Sequence, residues 1–278
     1  EHADCFTGLV EKYGDKAPRI VRDYKGKPGD WYVLGDRVAL PVARMGIAGN
    51  RLDNPATQDL IDSGYEGLNP GVLNGDKRLE EQAQDGIVGE VMYPSLNMFT
   101  WAVGDTEIMN AAFQRHNDWI IDYCHNAPDR LIGIGCLPIP DIDLAIEEMT
   151  RAAKLGVRGF MIPTHTPTDR PYHHEDYDPF WAAAEAMNLP LTMHIFVGTS
   201  PDGGMPKHWG TPGGTIKGYT MAFTTAVNAM IDIICGGVVE RFPKLKFVIA
   251  EYEIGWLAHV LERLDHAAYR TPQHAVDY

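Results

Sequence analysis

Leu189-Pro190-Leu191-Thr192-Met193-His194-Ile195-Phe196-Val197-Gly198 is the stretch on which the fold turns. It reads as a short apolar strand with one imidazole near its C-terminal end, followed by a Gly/Pro-rich segment. A near-continuous apolar run marks a parallel strand buried on both faces. Ligand sites of α/β proteins gather where such strands end. A histidine there can bind a metal or move a proton; the plain reading is a buried ring bonded to a backbone carbonyl.

Outward from this strand the chain keeps a regular rhythm. Apolar runs begin near positions 86, 131, 159, 189 and 246, with helical patterns between them. Thr106 to Asn126 carries Ile108, Ala111, Ala112, Trp119, Ile120 and Tyr123 on a helical period. Asp141 or Asp143 caps a helix that runs to Leu155 and stops at Gly156. Asp178-Pro179 opens the next, a long one is expected from about Tyr219 to Arg241, and the last from Ile254 to Ala268. Repeated βα units give a parallel sheet, either doubly wound or closed as a barrel. No G-x-G-x-x-G and no P-loop motif supports nucleotide binding.

Before this rhythm the chain is irregular. Arg19 to Tyr24 and Trp31 to Leu34 flank Lys25-Gly26-Lys27-Pro28-Gly29-Asp30, the pattern of a β-hairpin arm. Leu52 to Asn74 reads as a surface loop, and Lys77 to Gln84 as a short helix.

The 278 residues suffice for one large α/β domain, and 45% of them are hydrophobic. A formal charge of −14 leaves no basic stripe for nucleic acid. No run approaches a membrane span. Cys5, Cys124, Cys136 and Cys235 are widely spaced and read as reduced thiols of a cytoplasmic protein.

Several groups carry candidate chemistry. His194 and Glu251 end successive expected strands, and an imidazole with a carboxylate suits Zn, Mn or Fe. Glu251 is alternatively a general acid or base, or a charge at a helix N-terminus. His165, in Thr164-His165-Thr166 after the third strand, is a second catalytic candidate, a solvent-facing loop histidine being its plain reading. The loop 198–218, with His208, reads as a lid over a substrate pocket. His208, Tyr252 and Trp256 are the substrate-binding candidates, Trp256 also fitting as packing.

Phe242-Pro243-Lys244-Leu245-Lys246-Phe247-Val248-Ile249-Ala250-Glu251-Tyr252-Glu253-Ile254-Gly255-Trp256-Leu257, then Leu261-Glu262-Arg263-Leu264-Asp265, resembles a signature segment of the amidohydrolase-2 family, within the metal-dependent amidohydrolase superfamily. Asn117-Asp118-Trp119, Pro128-Asp129-Arg130-Leu131-Ile132-Gly133, Gly156-Val157-Arg158-Gly159-Phe160 and Tyr177-Asp178-Pro179-Phe180-Trp181 agree with it in order. That family includes aminocarboxymuconate-semialdehyde decarboxylase and the resorcylate decarboxylases.

The resemblance implies one (β/α)8 TIM barrel over residues 1–278, with a hairpin and loop insertion at 19–76. About six of its eight strands would lie in this chain. It implies a single divalent ion, zinc first and manganese or iron next, with His194 as the fifth-strand ligand. Glu251 stands where many relatives carry a sixth-strand histidine. A first-strand ligand motif is expected upstream of Glu1, and an eighth-strand aspartate beyond Tyr278. The activity expected is a hydrolase or C–C lyase on a small carbonyl or aromatic acid, with metal-activated water and Glu251 moving the proton. The alternatives are non-oxidative decarboxylation of an aromatic or unsaturated carboxylate, and a metal-free binding barrel. A small-molecule substrate, no nucleic acid, no membrane and a homodimer complete the expectation.

Overall fold

The computed structural model describes residues 1–47, 49–195, 197 and 210–274. The chain divides into two compact units. The first holds 1–138 and 147–160, the second 139–146 and 161–278.

In the first unit, Leu9–Tyr13 forms α1, and three antiparallel strands follow: β1 (Pro18–Arg22), β2 (Asp30–Leu34) and β3 (Val38–Pro41). Arg19 pairs with Val33 and Val33 with Ala39, so the expected hairpin gains a third strand. Gly29 at φ 87° lies where β2 begins, and a Cβ there would meet the Ile61 carbonyl at 2.8 Å. The expected loop from Leu52 to Asn74 contains a helix, α2 (Pro55–Ser63). Its start is signalled locally: Asn54 Oδ1 accepts from Ala56 N, and Pro55 occupies the first turn.

Helix α3 (Gly75–Asp85) is capped by Asn74 and ends at Gly86, φ 70°. Strand β4 (Glu90–Met92) follows, then α4 (Thr106–Cys124), whose cap Asp105 accepts from the amides of Glu107 and Ile108. Helix α4 buries Ile108, Met109, Ala112, Phe113, Ile120 and Tyr123 on one stripe. Strand β5 (Leu131–Gly133) lies parallel to β4, Val91 opposite Ile132, and β6 (Gly135–Cys136) follows it.

The polar residues of α4 have structural work as well. His116 Nε2 sits 3.1 Å from Ile134 O. Asn117 Nδ2 donates to Cys136 O at 3.1 Å, and Asn117 Oδ1 accepts from Cys136 N at 2.8 Å. The side-chain amide thus stands in for a neighbouring strand's peptide. Asn117 Nδ2 also donates to the buried Glu148 at 2.6 Å, which Arg151 grips with two nitrogens at 2.7 and 2.9 Å. The Glu1 carboxylate is buried, accepting from the amides of Leu96 and Asn97 at 2.7 and 3.1 Å.

Helix α5 (Ile142–Leu155) starts behind Asp141, whose carboxylate accepts from Leu144 N, and stops at Gly156, φ 123°. Strand β7 (Phe160–Met161) follows. In the second unit, α6 (Asp178–Ala186) leads to β8 (Leu191–His194). Tyr172, Tyr177, Phe180 and Trp181 are fully buried, and the Trp181 ring meets Tyr172 and Phe247 edge-on at 5.6 and 5.8 Å. Such aromatic contact supplies much apolar area to a small core.

The long helix expected from Tyr219 to Arg241 is three: α7 (Pro212–Met221), α8 (Phe223–Cys235) and α9 (Val238–Arg241). The break after α8 falls at Gly236-Gly237, where Gly237 takes φ 71°, a conformation that glycine tolerates without penalty. Residues 212–218, expected as loop, belong to α7, capped by Thr211 Oγ1 on Gly214 N. Residues 198–209 of the proposed lid, with His208, lie outside the described residues.

Strand β9 (Phe247–Ala250) runs parallel to β8, with Leu191 opposite Phe247 and His194 opposite Ala250. Helix α10 (Leu257–Arg270) follows, and then a short 3-10 turn at Pro272–His274. The α/β class is observed, and the five expected strand positions appear as six strands, β4 to β9, because the run expected from Arg130 to Leu137 divides into β5 and β6. Among the described residues, no helix is long and apolar enough to cross a membrane.

Candidate active site

The site lies in the second unit, where β8 and β9 end. Alternation along β8 puts Leu191 and Met193 on one face and Thr192 and His194 on the other. Parallel pairing carries the same parity to β9, with Phe247 and Ile249 opposite in sense to Val248 and Ala250. Glu251 follows directly, at φ 65°. This is a left-handed conformation that non-glycine residues adopt at a cost of about 1–2 kcal/mol. It returns the carboxylate to the neighbouring strand's end: Glu251 Oε2 is 3.1 Å from His194 Nε2. Glu253, two residues on, is also left-handed at φ 50°. Strain of this kind concentrates at functional sites.

The other ring nitrogen has its own partner. His194 Nδ1 lies 2.9 Å from Ile195 O. A carbonyl only accepts, so Nδ1 carries the hydrogen. The 3.1 Å contact of Nε2 with Glu251 Oε2 then needs a hydrogen of its own, on Nε2 or on the carboxyl. The His194 side chain is 13% exposed and that of Glu251 66%, so the pair is open on the carboxylate side. An imidazole lone pair beside a carboxylate oxygen is a donor set that fits a first-row divalent ion. Among the described residues, no group of three or more His, Cys, Asp or Glu gathers around a common point.

Tyr252 is 1% exposed, and its hydroxyl donates to His194 O at 3.0 Å. The structure therefore takes Tyr252 out of the substrate-binding set: its ring has no free surface and its proton is in use. Burial raises its phenol, an effect partly offset by hydrogen bonds with Thr225 and Thr164. Trp256 donates through Nε1 to Tyr252 O at 2.7 Å. Its indole lines an apolar cavity of about 350 Å³ with Met193, Phe247 and Ile249, on the sheet face away from His194. The packing reading of Trp256 is the one the geometry favours.

His165 is half-buried on the loop after β7. Its neighbour Thr164 was not a candidate, yet Thr164 Oγ1 donates to Val197 O at 2.9 Å and Thr164 N to the same oxygen at 3.2 Å. Its signal was present in Thr164-His165-Thr166, where only the histidine stood out. Thr225, inside α8, carried no signal at all.

The cysteines offer no nucleophile in the first unit. Burial pushes Cys5 up to about 12 and Cys124 up to about 11, and Cys136 is fully buried. Cys235 is exposed.

Comparison with known proteins agrees with the signature. A family model described as Amidohydrolase matches residues 83–275. The gamma-resorcylate decarboxylase of Rhizobium sp. (strain MTP-10005) is 30% identical over 204 residues, 69% of this chain and 59% of that protein. The chain thus spans less than two thirds of this relative's length. An amidohydrolase from Mycobacterium avium subsp. paratuberculosis K-10 matches with a TM-score of 0.72 at 21% identity, over 100% of this chain and 76% of that one. The 5-carboxyvanillate decarboxylase of Novosphingobium aromaticivorans DSM 12444, complexed with manganese and 4-hydroxy-3-methoxy-5-nitrobenzoic acid, matches with a TM-score of 0.60 at 22% identity, over 80% and 60%. At these identities the two structures speak for the fold alone. The model's span covers more than half of the sequence, and the chain belongs to the amidohydrolase family.

Proposed function

We propose that this protein is a metal-dependent, non-oxidative decarboxylase of an aromatic or unsaturated carboxylate. The observation that carries the reading is the 3.1 Å pairing of His194 Nε2 with Glu251 Oε2 at the end of parallel strands, with Nδ1 committed to Ile195 O. The names of its relatives favour decarboxylation over the hydrolysis expected first. Structural neighbours crystallised with manganese make manganese, rather than zinc, the first ion to test.

His194 would hold the ion through Nε2. When bound, the ion supplies positive charge that orients the substrate's carboxylate. The remaining work falls to the chain. Decarboxylation breaks the C–C bond to the carboxylate, releases CO₂ and leaves the electron pair on carbon. That carbon must take a proton. Glu251, half-open to solvent beside His194, is placed to deliver one as a carboxylic acid and to regain it from water. His165, on the neighbouring loop, would contact the substrate.

The test is CO₂ release from a panel of hydroxybenzoates, 2,6-dihydroxybenzoate included, with manganese added. Release that depends on the metal supports the reading. A metal-loaded protein that releases no CO₂ yet cleaves esters or amides overturns it in favour of the hydrolase.

A further inference from the structure

The first unit carries a cleft of about 340 Å³ whose lining has no part in the site at the ends of β8 and β9. One wall is sheet. Trp31 on β2 stands opposite Pro41 on β3, so the two side chains share a face. The other wall is helix. Gln58, Ile61 and Asp62 follow at the three- and four-residue spacing that lines one side of α2. Lys27 and Pro28 enter from the turn before β2, and Arg44 from the 3-10 turn Val42–Gly46.

The walls are held by fixed contacts. Gly29 lies against the Ile61 and Asp62 carbonyls, where a Cβ would stand 2.8 and 3.1 Å away. Asp30 Oδ2 accepts from Tyr65 N, just beyond α2, at 2.9 Å and from Arg22 Nη1 at 3.2 Å. The Trp31 indole donates through Nε1 to Pro28 O at 2.9 Å, which ties the turn to the strand wall. The cleft is thus built before any ligand arrives, as small-molecule sites usually are.

Its charge stands out in this chain. The formal net charge is −14, so acidic partners are plentiful. Yet among the described residues neither Lys27 nor Arg44 forms an ion pair. Lys27 Nζ sits 5.4 Å from the Trp31 ring centroid instead. The lining carboxylate, Asp62, accepts from Gln58 Nε2 at 2.6 Å. Two cations can grip one anionic group, arginine as a fork and lysine as a point charge. An indole and two proline rings offer flat apolar surface at little entropic cost.

We propose that this cleft binds a small aromatic acid, its acidic group held between Lys27 and Arg44 and its ring laid against Trp31, Pro28 and Pro41. The inference stands apart from the proposed decarboxylation, since binding here needs neither metal nor turnover.

Benzoate is the probe, added to the ¹⁵N-labelled, metal-free protein. The indole N–H signals are the readout, with Trp31→Phe to assign that of Trp31. The Trp31 signal should shift saturably. Lys27→Gln and Arg44→Gln lie at exposed positions where the fold should hold. Each should weaken binding about 3–10-fold, the range for a solvent-exposed charge contact. Benzyl alcohol, which has the ring without the charge, and acetate, which has the charge without the ring, should bind about 10-fold more weakly than benzoate or worse. A Trp31 signal that benzoate does not move overturns the proposal, as does unchanged binding in the double variant. Acetate equal to benzoate would reduce the cleft to a simple charge contact, and benzyl alcohol equal to benzoate would reduce it to an apolar surface; either result overturns it.

Discussion

Glu251 reaches back from a left-handed backbone to place Oε2 3.1 Å from His194 Nε2, joining the ends of two parallel strands through their side chains. A separation of this size fits a direct hydrogen bond when one partner carries a proton. It also leaves both atoms within reach of one ligand. Two substitutions separate the functions assigned to the pair. His194→Ala should lower bound manganese, measured by plasma mass spectrometry, by more than the 10–100-fold usual for an outer-shell partner. Glu251→Gln should retain most of the metal while kcat for CO₂ release falls about 10²–10⁴-fold. Loss of metal in Glu251→Gln to the extent seen in His194→Ala would make Glu251 a ligand instead of the proton donor.

The backbone at Glu251 gives a separate expectation. Alanine is ordinarily favoured over glycine by about 0.5–1 kcal/mol inside regular structure. At φ 65° the order should reverse, with Glu251→Gly more stable than Glu251→Ala by about 1 kcal/mol in urea denaturation. Equal stability would mean that the left-handed conformation is not held in solution.

A third expectation concerns pH. Glu90 is gripped by two Arg78 nitrogens and by Gln82 Nε2, and the Arg78 hydrogen bonds hold its carboxyl below the usual glutamate value of 4.5. A carboxyl lowered in the folded state adds stability that is fully present above its unfolded value and is lost as pH falls through the folded one. The stability gap between wild type and Glu90→Gln should therefore be constant from pH 7 to about 5 and shrink below pH 4. A gap that does not change over that range would show the ion pair to be solvent-screened.

Asn117 makes a fourth case. Asn117→Ala leaves the Cys136 amide and carbonyl without partners and takes a donor from buried Glu148. A loss of about 3 kcal/mol is expected in chemical denaturation, since each orphaned buried group costs about 1–3 kcal/mol. Activity per folded molecule should hold, because the substitution lies in the first unit.

Much of this molecule was readable before its structure. The strands were visible because apolar runs of parallel sheet contrast with polar loops, and α3 to α6 because caps such as Asp141 and stops such as Gly156 are local signals. The signature around Glu251 pointed to the end of β9, where Glu251 meets His194. What failed was what depends on distant partners. Tyr252 and Trp256 sit beside Glu251 in sequence, yet pleat parity and the turn after β9 send one into a hydroxyl cluster and the other to the far face. Thr225 meets Tyr252 across 27 residues. The helix α2 went unseen because Asn54-Pro55, a start signal, was embedded in a polar stretch, and Gly236-Gly237 was passed over inside an apolar one.

The amide of Asn117 has a consequence for how this family member tolerates change in length. Its two bonds to Cys136, with His116 on Ile134 in the link between β5 and β6, mesh consecutive helix positions with alternate positions of the facing chain like teeth on a rack. Sliding α4 by one residue moves it 1.5 Å and spins it by about 100°, which strips both teeth together. Insertions or deletions between residues 117 and 136 are therefore confined to the turn after Cys124, where the chain can lengthen without turning the gear.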